Sequence, residues 1–196
     1  MGQAKLKSAA IQKWLAGLTE DERACADASQ RLLHRFIDST GATGMCYRLT
    51  FFLHLYLAER HVGTKPVVGF INDGTDNVMV SHAWLELGGK KTDLTLAKTE
   101  RPDLNLPGDV LILDFPIRRA HRYTYHLKRT PQAIELEERW LRRPNSADVV
   151  KQKAAEHERM NRLSGSADEM RSFLDSAPDG LNFVRLASII DDRPLR

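Results

Sequence analysis

The sequence predicts an α+β fold in which helices come first, antiparallel strands follow, and further helices complete the chain. Three observations predict it. Apolar residues recur at helical spacing over much of residues 3–60. Short apolar runs bounded by glycine, asparagine and proline then indicate strands between residues 67 and 114. After Pro131 the pattern is helical again, with strongly mixed charge.

Two helices are predicted at the start of the chain. The first covers residues 3–18 and is amphipathic. Thr19 is the expected N-cap of the second, because it is followed by three acidic residues and Glu22 can complete a capping box. We expect this second helix to run to about Asp38.

The third helix carries a cysteine at its start. It should run from Met45 to about Arg60, be capped by the loop at residues 42–44, and end at Gly63. Cys46 therefore falls in the first turn, where the positive end of the helix dipole favours a thiolate. This position predicts a reactive thiol; the alternative is a small cysteine buried in the core.

A hairpin follows a strand at Val67–Ile71. Its predicted strands are Val78–Leu87 and Lys90–Leu96, joined by a two-residue Gly-Gly turn, which tolerates positive φ. This register places Trp84 opposite residue 93. His82 and Asp93 then share one face as diagonal neighbours, about 7–8 Å apart between Cα atoms. The alternative is a half-buried hairpin in which both polar residues are incidental.

The next predicted strand, Asp109–Asp114, should be ended by Pro116. It is followed by the basic strip Arg118–Arg129, which contains five Lys or Arg, two His and two Tyr but no acidic residue. One interpretation is an anion-binding surface. The interpretation we favour is an edge strand with Tyr123, Tyr125 and Leu127 pointing inward, since charged edges prevent unwanted strand pairing.

The chain divides into a catalytic domain at residues 1–130 and a C-terminal helical extension at residues 131–196. Helices are predicted at 131–141, 147–163 and 166–174, before an apolar stretch at 181–190. Their apolar stripes are too small for an independent core, so we expect the extension to pack on the first domain and shape its cleft. The alternative is a tail that orders only on binding another protein.

Cys46, His82 and Asp93 follow one another in the order of a complete acyl-transfer triad. A thiolate can attack a carbonyl carbon, an imidazole can carry the proton, and a carboxylate can orient the imidazole. A metal site built from His54, His61, His82 and Asp93 is a weaker alternative, because the first two lie two helical turns apart and do not readily share one metal ion.

The motifs Gly44-Met45-Cys46, Lys65–Phe70, His82–Glu86 and Asp93–Thr95 together resemble the transglutaminase-like cysteine-peptidase superfamily. The match covers residues 41–98 and is also similar to the core of the leader peptidases that process lasso peptides. It implies a papain-like core, with Cys46 as nucleophile, His82 as base and Asp93 as orienting residue.

The chain departs from the family pattern in two places. Leu94 stands where proline is usual. No glutamine or tryptophan stands shortly before the cysteine as a clear oxyanion donor, so the backbone N–H of Cys46 is one expected donor. The side chains considered as a second donor are Gln30, Ser39, Thr40 and Thr43.

The expected function is therefore cleavage or transfer of a peptide or isopeptide amide, with a peptide or protein substrate and no cofactor or metal. A non-catalytic protein- or anion-binding module on the same fold is the alternative. The net charge of +3 gives no reason to expect nucleic acid. We find no signal peptide and no membrane span, which favours the cytoplasm. Cys25 is expected to be structural.

Overall fold

The computed structural model describes residues 2–99 and 105–191, and it confirms an α+β architecture with antiparallel sheets. Helices precede, and again follow, the strands. The helices are α1 Gly2–Ala16, α2 Glu20–Leu32, α3 Asp38–Thr40, α4 Cys46–Ala58, α5 Pro131–Leu141, α6 Pro144–Leu163, α7 Ala167–Asp175 and α8 Phe183–Asp191. The strands are β1 Lys65–Asn72, β2 Val80–Leu87, β3 Lys90–Thr92, β4 Val110–Ile112, β5 Phe115–Arg118 and β6 Thr124–His126.

The second predicted helix begins as expected but is not uniform. Thr19 accepts a hydrogen bond from the backbone N–H of Glu22, whose carboxylate in turn accepts one from the Thr19 N–H. This capping box begins α2. Residues Leu33–Ile37 then form a π-helical segment before the short α3. The apolar pattern gave no indication of this segment, because its buried residues Leu33, Phe36 and Ile37 follow a spacing that also suits an α-helix.

Helix α4 has Cys46 as its first residue. It is strongly apolar, and the core is built around it. Leu49, Phe51, Phe52, Leu53 and Leu57 are all at most 2% exposed. The loop before it provides no side-chain cap, contrary to expectation. The helix ends at Ala58, two residues before the predicted end at about Arg60, and His61 already takes the left-handed conformation with φ of 62°.

The main sheet has four antiparallel strands in the order β3-β2-β1-β6. Gly88 and Gly89 both have positive φ, 57° and 79°, as the tight turn requires. Leu87 pairs with Lys90 and Leu85 with Thr92, so the predicted hairpin register is confirmed. Strand β3 nevertheless stops at residue 92, not 96 as predicted, because the next residue pairs with β4 instead.

Strand β1 requires a glycine at position 69, because the indole ring of Trp84 in β2 packs directly on the backbone there. A Cβ on Gly69 would lie 2.5 Å from the carbonyl oxygen of His126 and 2.6 Å from Trp84 Cη2. Both contacts are closer than side-chain carbons approach other atoms, so the indole lies against bare backbone. The ring is 2% exposed and also meets Tyr125 edge to face, with centroids 5.1 Å apart.

The second sheet is the hairpin of β4 and β5. Leu113 and Asp114 form its turn, with φ of 52° and 61°. Pro116 was predicted to end a strand, but it lies inside β5 opposite Leu111, next to a bulge in the register. The prediction was wrong because proline is tolerated beside a bulge on a short edge strand.

The basic strip contains β6, which pairs with β1 at the edge of the main sheet, as the edge-strand interpretation predicted. Tyr123 is buried, but Leu127 is 67% exposed and does not point inward as expected. Two of its cations form ion pairs: Arg118 with Asp38, and Arg129 with a glutamate of α5.

Helices α6, α7 and α8 contribute to the same apolar core as α2 and α4. Their core residues are Met160, Met170, Leu174, Phe183, Leu186 and Ile190. Helix α6 begins at Pro144, three residues earlier than predicted. Helix α5 buries only Ala133 and packs chiefly on α6. Over residues 2–99 and 105–191, no helix has the length and apolar character needed to cross a bilayer.

Candidate active site

The two cysteines have opposite environments. Cys46 is half-buried at the start of α4 and lines a cleft. Cys25 is fully buried inside α2, and burial raises the pKa of its thiol to about 11. A thiol of that kind stays protonated at neutral pH and has no access to substrate. Cys25 is thus a small core residue, as expected.

His82 lies in β2 between the cysteine and a carboxylate. Its Nε2 is 2.7 Å from Asp93 Oδ2, and Cys46 lies near enough to the same imidazole to raise its pKa. Because Nε2 is engaged by the carboxylate, Nδ1 is the nitrogen left for the thiol. Burial alone would lower the pKa of His82, but Asp93 and Cys46 together raise it to about 10. The imidazole is therefore held in its protonated form at neutral pH.

Asp93 is 2% exposed and accepts hydrogen bonds on both carboxylate oxygens. His82 and the Tyr125 hydroxyl, 2.9 Å away, both approach Oδ2. The backbone N–H and the hydroxyl of Thr95 donate to Oδ1, each at 3.1 Å. Burial alone would raise the pKa of this carboxyl group, but His82 and these donors hold it below its usual value. Asp93 is consequently a fixed carboxylate.

Backbone hydrogen bonds to β4 fix the position of Asp93. Asp93 exchanges two backbone hydrogen bonds with Leu111, of 2.9 and 2.8 Å. The predicted hairpin register placed His82 and Asp93 on one face, but it did not indicate that Tyr125 contacts the carboxylate. Its only sequence signal is its alternating position in the basic strip. The Thr95 contact was visible as an Asp-x-Thr turn.

A second polar chain adjoins the three residues. Tyr47 follows Cys46 and Ser81 precedes His82; their hydroxyl oxygens are 2.7 Å apart. The Ser81 oxygen also lies 2.5 Å from Nδ1 of His157, which stacks on Phe70 with ring centroids 4.2 Å apart. Burial raises the pKa of Tyr47, and burial together with a nearby arginine lowers that of His157. The sequence gave no signal for His157, which arrives on α6.

The four side chains considered as oxyanion donors do not line the cleft. Ser39 and Thr40 donate to carbonyl oxygens of their own helical segment. Gln30 lines a shallow depression between α1 and α2, and Thr43 is exposed on the loop before α4. The hydroxyl-bearing side chains that line the cleft beside Cys46 include Tyr47 and Ser81.

The cleft itself has a volume of about 590 Å³, within the roughly 300–1,000 Å³ of pockets that bury small organic ligands. It is lined by the start of α4, by residues 77–82, by Thr95, Leu96, Lys98 and Thr99, and by Tyr123. Residues of α5 and α6 complete the lining. Cys46 and His82 are both among the lining residues.

The histidines of α4 and its C-terminal turn do not join His82 and Asp93 in a metal site. His54 hydrogen-bonds to Thr64 at 2.9 Å, away from the cleft. Within the part of the chain that the structure describes, no group of three or more His, Cys, Asp or Glu side chains is arranged to hold a metal ion.

Comparison of the chain with known protein families, curated proteins and solved structures finds no match. The geometry of the site therefore carries the functional argument.

Proposed function

We propose that this protein is a cysteine hydrolase or acyltransferase that acts on a peptide or isopeptide amide bond. Cys46 is the nucleophile, His82 the proton carrier and Asp93 the orienting carboxylate. The observation that supports this most strongly is the 2.7 Å contact between His82 and Asp93, beside a cysteine that raises the pKa of the same imidazole and lines the same cleft. Burying the ionised pair of His82 and Asp93 costs free energy of desolvation, and a catalytic role is a reason for the chain to keep the pair.

In the first half of the reaction, the Cys46 thiolate attacks the amide carbonyl carbon and a tetrahedral oxyanion forms. Two features favour the thiolate: the helix N-terminus and the protonated imidazole beside it. The backbone N–H of Cys46 is available to the oxyanion. The C–N bond then breaks, His82 gives its proton to the leaving amine, and a thioester remains on Cys46.

In the second half, His82 takes a proton from water, which attacks the thioester carbonyl. The tetrahedral intermediate then breaks its C–S bond, the acid is released, and the Cys46 thiolate is regenerated beside protonated His82. An amine in place of water would give transfer instead of hydrolysis. We favour hydrolysis, because it needs no second binding site for an amine.

The arrangement also supports the transglutaminase-like assignment proposed from the sequence. A cysteine at the start of a buried helix packs against an antiparallel sheet that carries the histidine. The aspartate directly follows the next strand. We propose on this basis that the core is papain-like.

The alternative, a binding module that uses the basic strip, receives less support. Arg118 and Arg129 are already paired with carboxylates. An intact set of Cys46, His82 and Asp93 has no purpose in a pure binder.

The test is alkylation of the native protein with iodoacetamide at about pH 6–7, followed by peptide mass spectrometry. We expect Cys46 to react at least about tenfold faster than free cysteine, and Cys25 not at all until the protein unfolds. His82→Ala should abolish the excess rate. A Cys46 rate equal to that of free cysteine, unchanged by His82→Ala, would show that the thiol is not activated.

A further inference from the structure

The lining of the cleft beside Cys46 is largely apolar. Part of it is a small apolar cluster, separate from the main core, made of Ile71, Leu96 and Tyr123, each at most 8% exposed. Further apolar lining residues are Met79, Val80, Leu136, Trp140, Val149 and Val150.

Two of these apolar residues are exposed to solvent in the protein without a bound ligand. Val149 is 59% exposed and Val80 is 38% exposed, although both line the cleft. Val149 projects from α6 and Val80 from the start of β2. A ligand that fills the cleft would cover both, and the burial of their apolar surface would favour binding.

The charged groups of the cleft wall are already compensated in pairs. Arg129 forms an ion pair with Glu137 at 3.1 Å, and Lys153 one with Glu156 at 2.9 Å. Apart from the proposed catalytic residues, Lys98 is the remaining charged residue among the described lining residues, and its ammonium approaches the Ile37 carbonyl oxygen at 3.5 Å. A basic substrate side chain would have to compete with Arg129 or Lys153 for their carboxylates. An acidic one would have to draw Lys98 away from the Ile37 carbonyl oxygen or lose water without a partner. Both are less favourable than covering the apolar surface of the cleft.

The other polar lining groups are neutral. Asn77, Asn105, Asn145 and Ser146 offer amides and a hydroxyl at the cleft. Such groups suit the N–H and C=O of a peptide backbone, which are uncharged and need partners when covered. The cleft thus combines apolar surface for side chains with neutral polar groups for a main chain.

We infer that the cleft binds a peptide segment with large aliphatic or aromatic side chains on the acyl side of the scissile bond, and discriminates against acidic and basic ones. This inference rests on the proposed function, because the cleft selects substrates only if Cys46 is the nucleophile. It assigns the C-terminal helices α5 and α6 a role in specificity, through Leu136, Trp140, Val149 and Val150.

The experiment uses three peptidyl chloromethyl ketones on the whole protein, one built from leucine and phenylalanine, one from aspartate and one from lysine. The second-order rate constant for alkylation of Cys46 is measured for each and divided by the iodoacetamide rate constant. We expect the apolar probe to give a ratio at least about tenfold above both charged probes. Equal ratios, or a larger ratio for a charged probe, would overturn the inference.

A matched pair of variants locates the preference. Val149→Asp places a carboxylate on the cleft wall and should lower the ratio for the apolar probe about tenfold. Val184→Asp makes the same change on α8, at a residue that does not line the cleft and is equally exposed, 61%. It should leave the ratio unchanged. Equal ratios in the two variants would place the preference elsewhere and overturn the role of α6.

The two proposals fail differently. If Cys46 reacts with iodoacetamide no faster than free cysteine, both the proposed function and this inference fall. If Cys46 is activated but the three probes react alike, the hydrolase proposal stands and the apolar specificity is wrong.

Discussion

Replacing Asp93 by asparagine tests the centre of the site with the loss of one charge and almost no change in volume. In the native chain Oδ1 accepts two hydrogen bonds from Thr95, and Oδ2 accepts one from His82 and one from Tyr125. An amide has one acceptor oxygen and one NH₂ donor. The side chain introduced by Asp93→Asn can therefore satisfy only one of these two sides.

Either orientation of the amide damages the site. With its oxygen toward Thr95, the NH₂ faces His82 Nε2, so the imidazole must carry its proton on Nδ1 and cannot accept one from the thiol. With its oxygen toward His82, the NH₂ faces the buried N–H and hydroxyl donors of Thr95. The first arrangement removes the base, and the second leaves buried donors without acceptors.

The expected magnitudes follow from these losses. A charge-assisted hydrogen bond contributes about 1.5–3 kcal/mol and an unsatisfied buried group costs about 1–3 kcal/mol. Loss of one partner of a buried ion pair costs about 3–5 kcal/mol in all. We therefore expect the free energy of unfolding to fall by roughly 3–5 kcal/mol. Any amide hydrolysis should fall on the order of 10⁴-fold, as in a triad whose histidine is held in the wrong tautomer.

The assay combines thermal denaturation at about pH 7 with iodoacetamide labelling of Cys46. The control is Asp114→Asn, at an exposed turn residue with φ of 61°, a conformation that asparagine tolerates. The control loses a partly exposed ion pair with Lys91, 3.3 Å long, so it should lower the free energy of unfolding by less than about 1 kcal/mol. Native stability and native Cys46 reactivity in Asp93→Asn would refute the reasoning.

Two further predictions concern the sheet and the imidazole. Gly69→Ala should lower the free energy of unfolding by about 1–3 kcal/mol, because the new Cβ would overlap the His126 carbonyl oxygen and the Trp84 indole. The control is Gly63→Ala, whose Cβ would have nothing within 4 Å and which should be neutral or slightly stabilising in the same urea titration. Equal effects of the two substitutions would contradict the close packing of Trp84 on Gly69. Since the folded pKa of His82, about 10, is raised above 6.5, its stabilisation is complete below pH 6.5 and is lost as pH rises through about 10. The melting-temperature difference between native protein and Asp93→Asn should therefore shrink from about pH 6 to about pH 11, and a constant difference would count against the raised pKa.

Local chemistry made much of the fold predictable. The capping box at Thr19 uses only neighbouring residues, and so does the positive-φ turn at Gly88-Gly89. That turn fixed the register of β2 and β3, and the register placed His82 and Asp93 on one face. The position of Cys46 at the start of a helix followed from the loop before it and the apolar run after it.

Other local predictions were wrong where tertiary contacts compete with local preference. Strand β3 ends early because Asp93 finds a better backbone partner in β4. Pro116 continues a strand because a bulge accommodates it. The four suggested oxyanion donors point to helix carbonyls, solvent or another surface, which their positions in sequence could not indicate.

The sequence by itself determined which residue types meet at the site, because the cysteine, histidine and aspartate are each placed by a short element with its own local signals. Only the tertiary structure decided what surrounds them. Tyr125 reaches Asp93 from a strand 32 residues away, and His157 reaches Ser81 from a helix 76 residues away. Contacts at such separations depend on how whole elements pack, and no local periodicity encodes them. The apolar stripes of the C-terminal extension led to the expectation that it shapes the cleft, but only the packing of whole elements decided that Val149 and Val150 of α6 line it.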